Sequence, residues 1–171
     1  MKRYLPLILL GLIAIAFSGT ASAVDIYVNS TGGDDNNDGL SWATAKASIR
    51  NATGSAADND VIWVADGEYA GQDNRGVEIN KNLTITGQSK EGTVIKLEGN
   101  PWLFKITKDS KISNLTIRDA YSDNDCTIYI ENATLEIENC LFFNNTGMHG
   151  GSIRAFSSST VTITNTTLNN N

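Results

Sequence analysis

The feature that most restricts this chain is a repeat of short strand-like segments in its C-terminal half. Cys126-Thr127-Ile128-Tyr129-Ile130, followed by Thr134-Leu135-Glu136-Ile137-Glu138-Asn139, lines up with Gly151-Ser152-Ile153-Arg154-Ala155, followed by Thr160-Val161-Thr162-Ile163-Thr164-Asn165. Ile128 falls on Ile153 and Leu135 on Val161, a period of about 25 residues. A looser copy starts at Leu103-Phe104-Lys105-Ile106 and continues at Asn114-Leu115-Thr116-Ile117-Arg118-Asp119. A strand, a short turn, a second strand and a longer turn cannot bury an apolar face alone. Stacked on copies of itself, such a coil pairs its strands with those above and below at about 4.8 Å per rung, and the inward residues form one column. The expected fold is therefore all-β, a parallel β-helix. Asn139 and Asn165 fall at matching bends, with Asp119 one coil earlier, so their side chains are expected to form a hydrogen-bonded ladder. A β-sandwich, the rival, would want hairpin turns such as Asn-Gly between paired strands; the loops here recur at coil spacing instead.

The rest of the chain fits this reading. Asp25–Asn29 reads as a strand, and the continuous apolar run Val61–Val64 as a strand buried on both sides or central in its sheet. Ser41–Ala52 is the one helical stretch, with Ser41 as its cap and an apolar face of Trp42, Ala45, Ile49 and Ala52. It is placed to close the first open end of the stack. Three parts follow: a leader over residues 1–23, a cap with the first strands over 24–76, and coils over 77–171. The last repeat stops midway at Leu168–Asn171, so further C-terminal coils of the same protein are expected as the stack's continuation.

The leader sets the compartment. Lys2 and Arg3, the apolar run Leu5–Phe17 and Ala21-Ser22-Ala23 form a secretory signal peptide with cleavage before Val24, so the protein is expected outside the cell or on its surface. No later segment is apolar enough for a spanning helix. The net charge of −6 becomes more negative once Lys2 and Arg3 leave with the leader. Such a chain repels nucleic acid and anionic lipid, and a polyanionic polysaccharide would need a local basic patch or a metal. Two cysteines are too few for a disulfide framework; Cys126 and Cys140 are read as core thiols in preference to a single disulfide between them, which stays open. His149, the single histidine, lies in a Gly-rich turn and excludes a multi-histidine metal centre.

Two stretches resemble known families. Ile26-Tyr27-Val28, Gly33-Asp34-Asp35-Asn36-Asn37-Asp38-Gly39, Trp42-Ala43-Thr44, Ile49 and Val61-Ile62-Trp63-Val64-Ala65-Asp66-Gly67-Glu68-Tyr69 are similar to the N-terminal cap of pectin-lyase-like β-helix proteins. Phe142-Phe143-Asn144-Asn145 and Gly150-Gly151-Ser152-Ile153 resemble the F-x-x-N and G-G-A-[ILV] motifs of polymorphic outer-membrane proteins and of adhesin-like surface proteins of methanogenic archaea, with Ser in place of Ala. The resemblance implies a right-handed helix displayed at a cell surface, binding surface glycans or proteins of a host or neighbouring cell, without catalysis. It also implies structural roles for the motif residues Phe142, Asn145, Gly150, Gly151 and Ile153.

The candidate sites follow from residue type and position. Asp34, Asn36 and Asp38, with Gly39, match the first half of a Ca²⁺ loop, but Ala45 stands where a bidentate Glu is needed; a structural Ca²⁺ is the one cofactor entertained. Lys105, Tyr129 and Arg154 fall at outward alternates of stacked strands and suit glycan contact. Of the N-x-[ST] sequons, Asn29, Asn51 and Asn144 are the glycosylation candidates, since Asn165 is assigned to the ladder. The alternative function is a secreted polysaccharide lyase or other carbohydrate-active enzyme of the same fold. Arg118 and Arg154 would supply its base, and Asp119, Asp123 and Asp125 its metal ligands.

Overall fold

Apolar residues at every second position of short β-branched segments leave each strand one face to bury. In the computed structural model, which describes residues 22–123 and 126–171, the chain buries them by stacking on itself. The leader up to residue 21 and Asp125 lie outside the described residues. Strand β1 (Asp25–Val28) leads through helix α1 (Ile49–Ser55) to β2 (Val61–Val64), β3 (Gly67–Tyr69) and β4 (Val77–Ile79). The next coil holds β5 (Leu83–Gly87), β6 (Thr93–Lys96) and β7 (Phe104–Ile106), and the next β8 (Ser110–Ser113), β9 (Thr116–Arg118), the short β10 (Tyr121–Ser122) and β11 (Ile128–Glu131). Then come β12 (Thr134–Glu138), β13 (Leu141–Phe143), the short β14 (Thr146–Gly147), β15 (Ile153–Phe156), β16 (Thr160–Thr164) and β17 (Thr167–Asn169).

Every pairing among these strands is parallel, in three long sheets. The six-stranded sheet runs β1-β2-β5-β8-β12-β16, the five-stranded sheet β3-β6-β9-β13-β17 and the four-stranded sheet β4-β7-β11-β15, with β10 and β14 paired apart. Register places Ile26, Ile62, Ile85, Ile112, Ile137 and Ile163 in one column. The first five are buried, and each such side chain contributes about 1.5–3 kcal/mol through burial. Tyr69, Ile95, Ile117 and Phe142 form the matching buried column of the five-stranded sheet. The fold is the expected parallel β-helix with a short helix at its first end.

The register of Ile128 with Ile153 and Leu135 with Val161 is as expected from the repeat. Three expectations are corrected. Each coil contributes three long-sheet strands, not two. The looser copy keeps register in its first half, Phe104-Lys105-Ile106 against Ile128-Tyr129-Ile130, but not in its second: Leu135 and Ile137 pair with Ser110 and Ile112, while Thr116 and Ile117 pair with Leu141 and Phe142. The helix begins later than Ser41. Trp42–Thr44 is a 3-10 turn, and Lys46 is drawn into a bridge with Val28, its N–H donating to the Tyr27 carbonyl and its own carbonyl accepting from Asn29. The helix starts only after this bridge. Ser48 caps it by accepting from the Asn51 N–H, and Ile49 and Ala52 are fully buried against the stack.

Candidate glycan-facing surfaces

Alternation sends the polar residue of each strand outward, so register lines up side chains from successive coils. On the four-stranded sheet, Glu78, Lys105, Tyr129 and Arg154 form one such row. The structure thus brings together the three residues chosen from the sequence for glycan contact. Phe156, absent from that choice, completes the surface: its ring stacks on Tyr129 at 4.4 Å between centroids, and the Arg154 guanidinium lies 4.1 Å above it. Its signal in the sequence was its place two residues beyond Arg154, on the same face of β15.

The charges on this surface are left over. Elsewhere among the described residues the Lys and Arg side chains meet carboxylates or backbone carbonyls: Arg75 with Glu98, Lys96 and Arg118 with Glu68, Lys111 with Glu138, Lys90 with Glu91, and Lys46, Arg50 and Lys81 with carbonyls. Lys105, Arg154 and Lys108, in the turn after β7, have no such oxygen in range among the described residues. Glu78 and Glu131 supply carboxylates to the same face.

The five-stranded sheet carries Lys96, Arg118, Phe143 and Asn169 in its outward row. Arg118 is held by Glu68 at 3.3 Å and Asp119 at 3.4 Å. Both ion pairs engage its guanidinium within the chain. It and Arg154 lie on successive sheets of the coil, the five-stranded and the four-stranded, and Asp123 accepts from the Tyr121 hydroxyl at 2.6 Å. Asp125 lies outside the described residues.

The acidic loop is built around a lysine. Asp34 accepts from the N–H and side chain of Asn36, and Asp38 from the Leu40 N–H and the Thr44 hydroxyl. These two contacts, Leu40 first, lower the Asp38 carboxyl below its ordinary pKa. The buried Lys46 ammonium sits on the carbonyls of Asn37 and Asp35, at 2.7 and 3.4 Å. Asp34, Asn36 and Asp38 thus serve local turns beside a cation that the chain itself provides. The structural residue is Asp35, which sequence reasoning passed over: its Oδ1 accepts from Ala47 N, Ser48 N and Ser48 Oγ and so fastens the start of α1.

Two ladders climb the bends. Asn165 donates to Asn139 at 3.1 Å and Asn139 to Asn114 at 2.8 Å. Asn170 donates to Asn144 at 3.2 Å and Asn144 to Asp119 at 2.9 Å. All six residues have positive φ, between 47° and 62°, a conformation Asn and Asp tolerate best among residues with a Cβ. Asp119 thus belongs to the second ladder, not beneath Asn139. Asn144 is a rung as well, so the reason for setting Asn165 aside as a glycan acceptor applies to it equally. The Asn51 amide donates to Ser48 Oγ, whereas the Asn29 side-chain oxygen accepts from Thr31 and Gly32 in a turn.

The repeat motifs hold coils together. Phe142 and Asn145 are fully buried; Asn145 accepts from Ala120 N–H and donates to the Ile117 carbonyl of the preceding coil. Gly150 has φ +103°, and a Cβ on Gly151 would lie 1.8 Å from the Asn145 carbonyl oxygen. Ile153 is partly buried against the core. Cys126 and Cys140 are buried thiols not joined to one another, and His149 is exposed.

No family model matches the chain, and no curated protein matches it in sequence. Solved structures do resemble it. One is pectin methylesterase PemA from Erwinia chrysanthemi, with a TM-score of 0.51 and 16% identity over 88% of this chain and 68% of that one. Another is a pectin methylesterase variant in complex with a hexasaccharide, with a TM-score of 0.50 and 17% identity over 86% of this chain and 56% of that one. At this identity the likeness is one of fold, the right-handed parallel β-helix. It corrects the expectation of a chain without catalysis: the fold neighbours are carbohydrate-active enzymes.

Proposed function

We propose that the chain is an extracellular carbohydrate-active protein that takes a uronate-containing polysaccharide along the outer face of the four-stranded sheet. The observation that carries this reading is the placement of charge. In an acidic chain, Lys105 and Arg154 are left without an ion-pair partner among the described residues on one face, beside the stacked rings of Tyr129 and Phe156. A linear uronate polymer presents carboxylates along its axis and flat C–H faces between them, which complement cations and rings set one coil apart. The fold neighbours support the class, since pectin is the substrate their name carries and one of them holds a hexasaccharide. Glu78 and Glu131 are this face's candidates for base or nucleophile toward an ester or glycosidic bond, with Arg154 or Lys105 stabilising the negative charge that develops.

The test is incubation of the exported protein with methyl-esterified and de-esterified polygalacturonate, following methanol, unsaturated ends and chain length. The reading expects product from one of the two, lost in Glu78→Gln or Glu131→Gln. No product and no retention on either polymer would refute it.

An adhesin-like display of the same glycan-contacting face is the second reading. It rests on the F-x-x-N and G-G residues acting as coil-stacking devices, by which further C-terminal coils would lengthen the stack. Export is supported by Val24, whose N atom lies 2.8 Å from Asp60 Oδ1, on a side chain that is itself buried. An α-amine created by cleavage after Ala23 would meet a carboxylate there, and N-terminal sequencing of the exported protein should begin at Val24.

A further inference from the structure

The outer face of the six-stranded sheet carries a second surface, which the proposed function does not use. The run Val61–Val64 reads as apolar throughout, yet strand alternation turns Trp63 outward and leaves it 38% exposed. Register sets Tyr27 beside it on one side and Thr86 on the other. Trp42, in the 3-10 turn before α1, is 45% exposed and packs edge-on against Tyr27 with ring centroids 4.7 Å apart. Two indoles and a phenol left in water at one place are unlike the scattered apolar residues of an ordinary surface. They line a groove of about 420 Å³ together with Asp25, Gln88 and Asn114, a size in the range of small-ligand sites.

The groove is held rigid and still has hydrogen-bonding capacity. Trp63 Nε1 donates to Asp25 Oδ1 at 2.9 Å, which fixes the indole. Asn114 is committed to Thr86 and to the ladder. The Tyr27 hydroxyl, the Trp42 indole N–H and the Gln88 amide nitrogen have no protein partner among the described residues. No Lys or Arg lines the groove, and Asp25 is its one charged residue.

From this we infer that the groove is a binding site for a neutral, β-linked pyranose chain. The axial C–H groups of such sugars form apolar ring faces that stack on indoles, while their equatorial hydroxyls point outward to the free donors of Tyr27, Trp42 and Gln88. Asp25 disfavours a uronate, so this site and the basic face select different sugars, and each can exist without the other.

The test is titration with cellohexaose and with xylohexaose, followed by tryptophan emission in a Trp102→Phe background, so that the signal comes from the two groove indoles. The inference expects a saturable change with at least one of them, and at least a tenfold loss of affinity in Trp42→Ala and in Trp63→Ala. Arg154→Gln should leave it unchanged, and trigalacturonate should not reproduce it. Trp42 lies in an exposed turn, so its variant keeps the core; thermal unfolding confirms that each variant is folded. No saturable change with either oligosaccharide, undiminished affinity in Trp42→Ala, or an equal response to trigalacturonate would overturn the inference.

Discussion

Ser152 stands at the motif position where Ala is usual in the resembling repeats, and its buried hydroxyl has no hydrogen-bond partner among the described residues. A buried unsatisfied hydroxyl costs about 1–3 kcal/mol, so Ser152→Ala should raise the stability measured by urea unfolding by about 1 kcal/mol. Its neighbour behaves oppositely. Gly151→Ala forces a Cβ onto the Asn145 carbonyl and should lower stability by about 2 kcal/mol or more. Cys140 gives a pH signature. Burial pushes its thiol from 9.0 up to about 11. The unfolded chain then loses this proton first, so the contribution is intact below pH 9 and disappears as pH rises through about 11. By linkage that is about 2–3 kcal/mol. Urea midpoints compared with Cys140→Ala at about pH 8 and about pH 10.5 should show the wild type losing more than the variant between the two. At this scale the sequence is legible where residue type and spacing agree, as at Asn139 and Asn165. Asp119 misled because it too follows a strand, at a bend one strand later.

Helix α1 shows what is legible in an element and what is not. Its buried residues Ile49 and Ala52 follow from apolar spacing. Its start does not, because the bridge of Lys46 to Val28 and the grip of Asp35 on Ala47 and Ser48 are contacts between distant parts of the chain. Asp35→Ala should therefore cost about 1–3 kcal/mol, with amide exchange quickened first in residues 47–53; unchanged exchange there would refute the role. The strand Ser110–Ser113 escaped notice for another reason. Ser110 takes an inward place normally held by an apolar residue, so the hydrophobic pattern passes over β8 to the stronger Leu115-Thr116-Ile117.

Across the whole molecule, the stacked coils separate stability from recognition. Inward columns of isoleucine set the register, and that register arranges the outward residues into rows one coil apart. Ile112→Ala, in the middle of the longest column, should cost about 2–5 kcal/mol without altering the chemistry of either outer face. The outward row of the four-stranded sheet was legible because period-two alternation is unambiguous for Lys105, Tyr129 and Arg154; the lack of anionic partners for its cations among the described residues was not, since it depends on where every carboxylate falls in space. The measurement that tests the account most directly is calorimetric titration of the protein with an oligogalacturonate at low salt, set beside Lys105→Gln and Arg154→Gln. The account predicts saturable binding that weakens with added salt and falls at least tenfold in either variant. Binding unaffected by both substitutions, or no heat at any concentration, would contradict it.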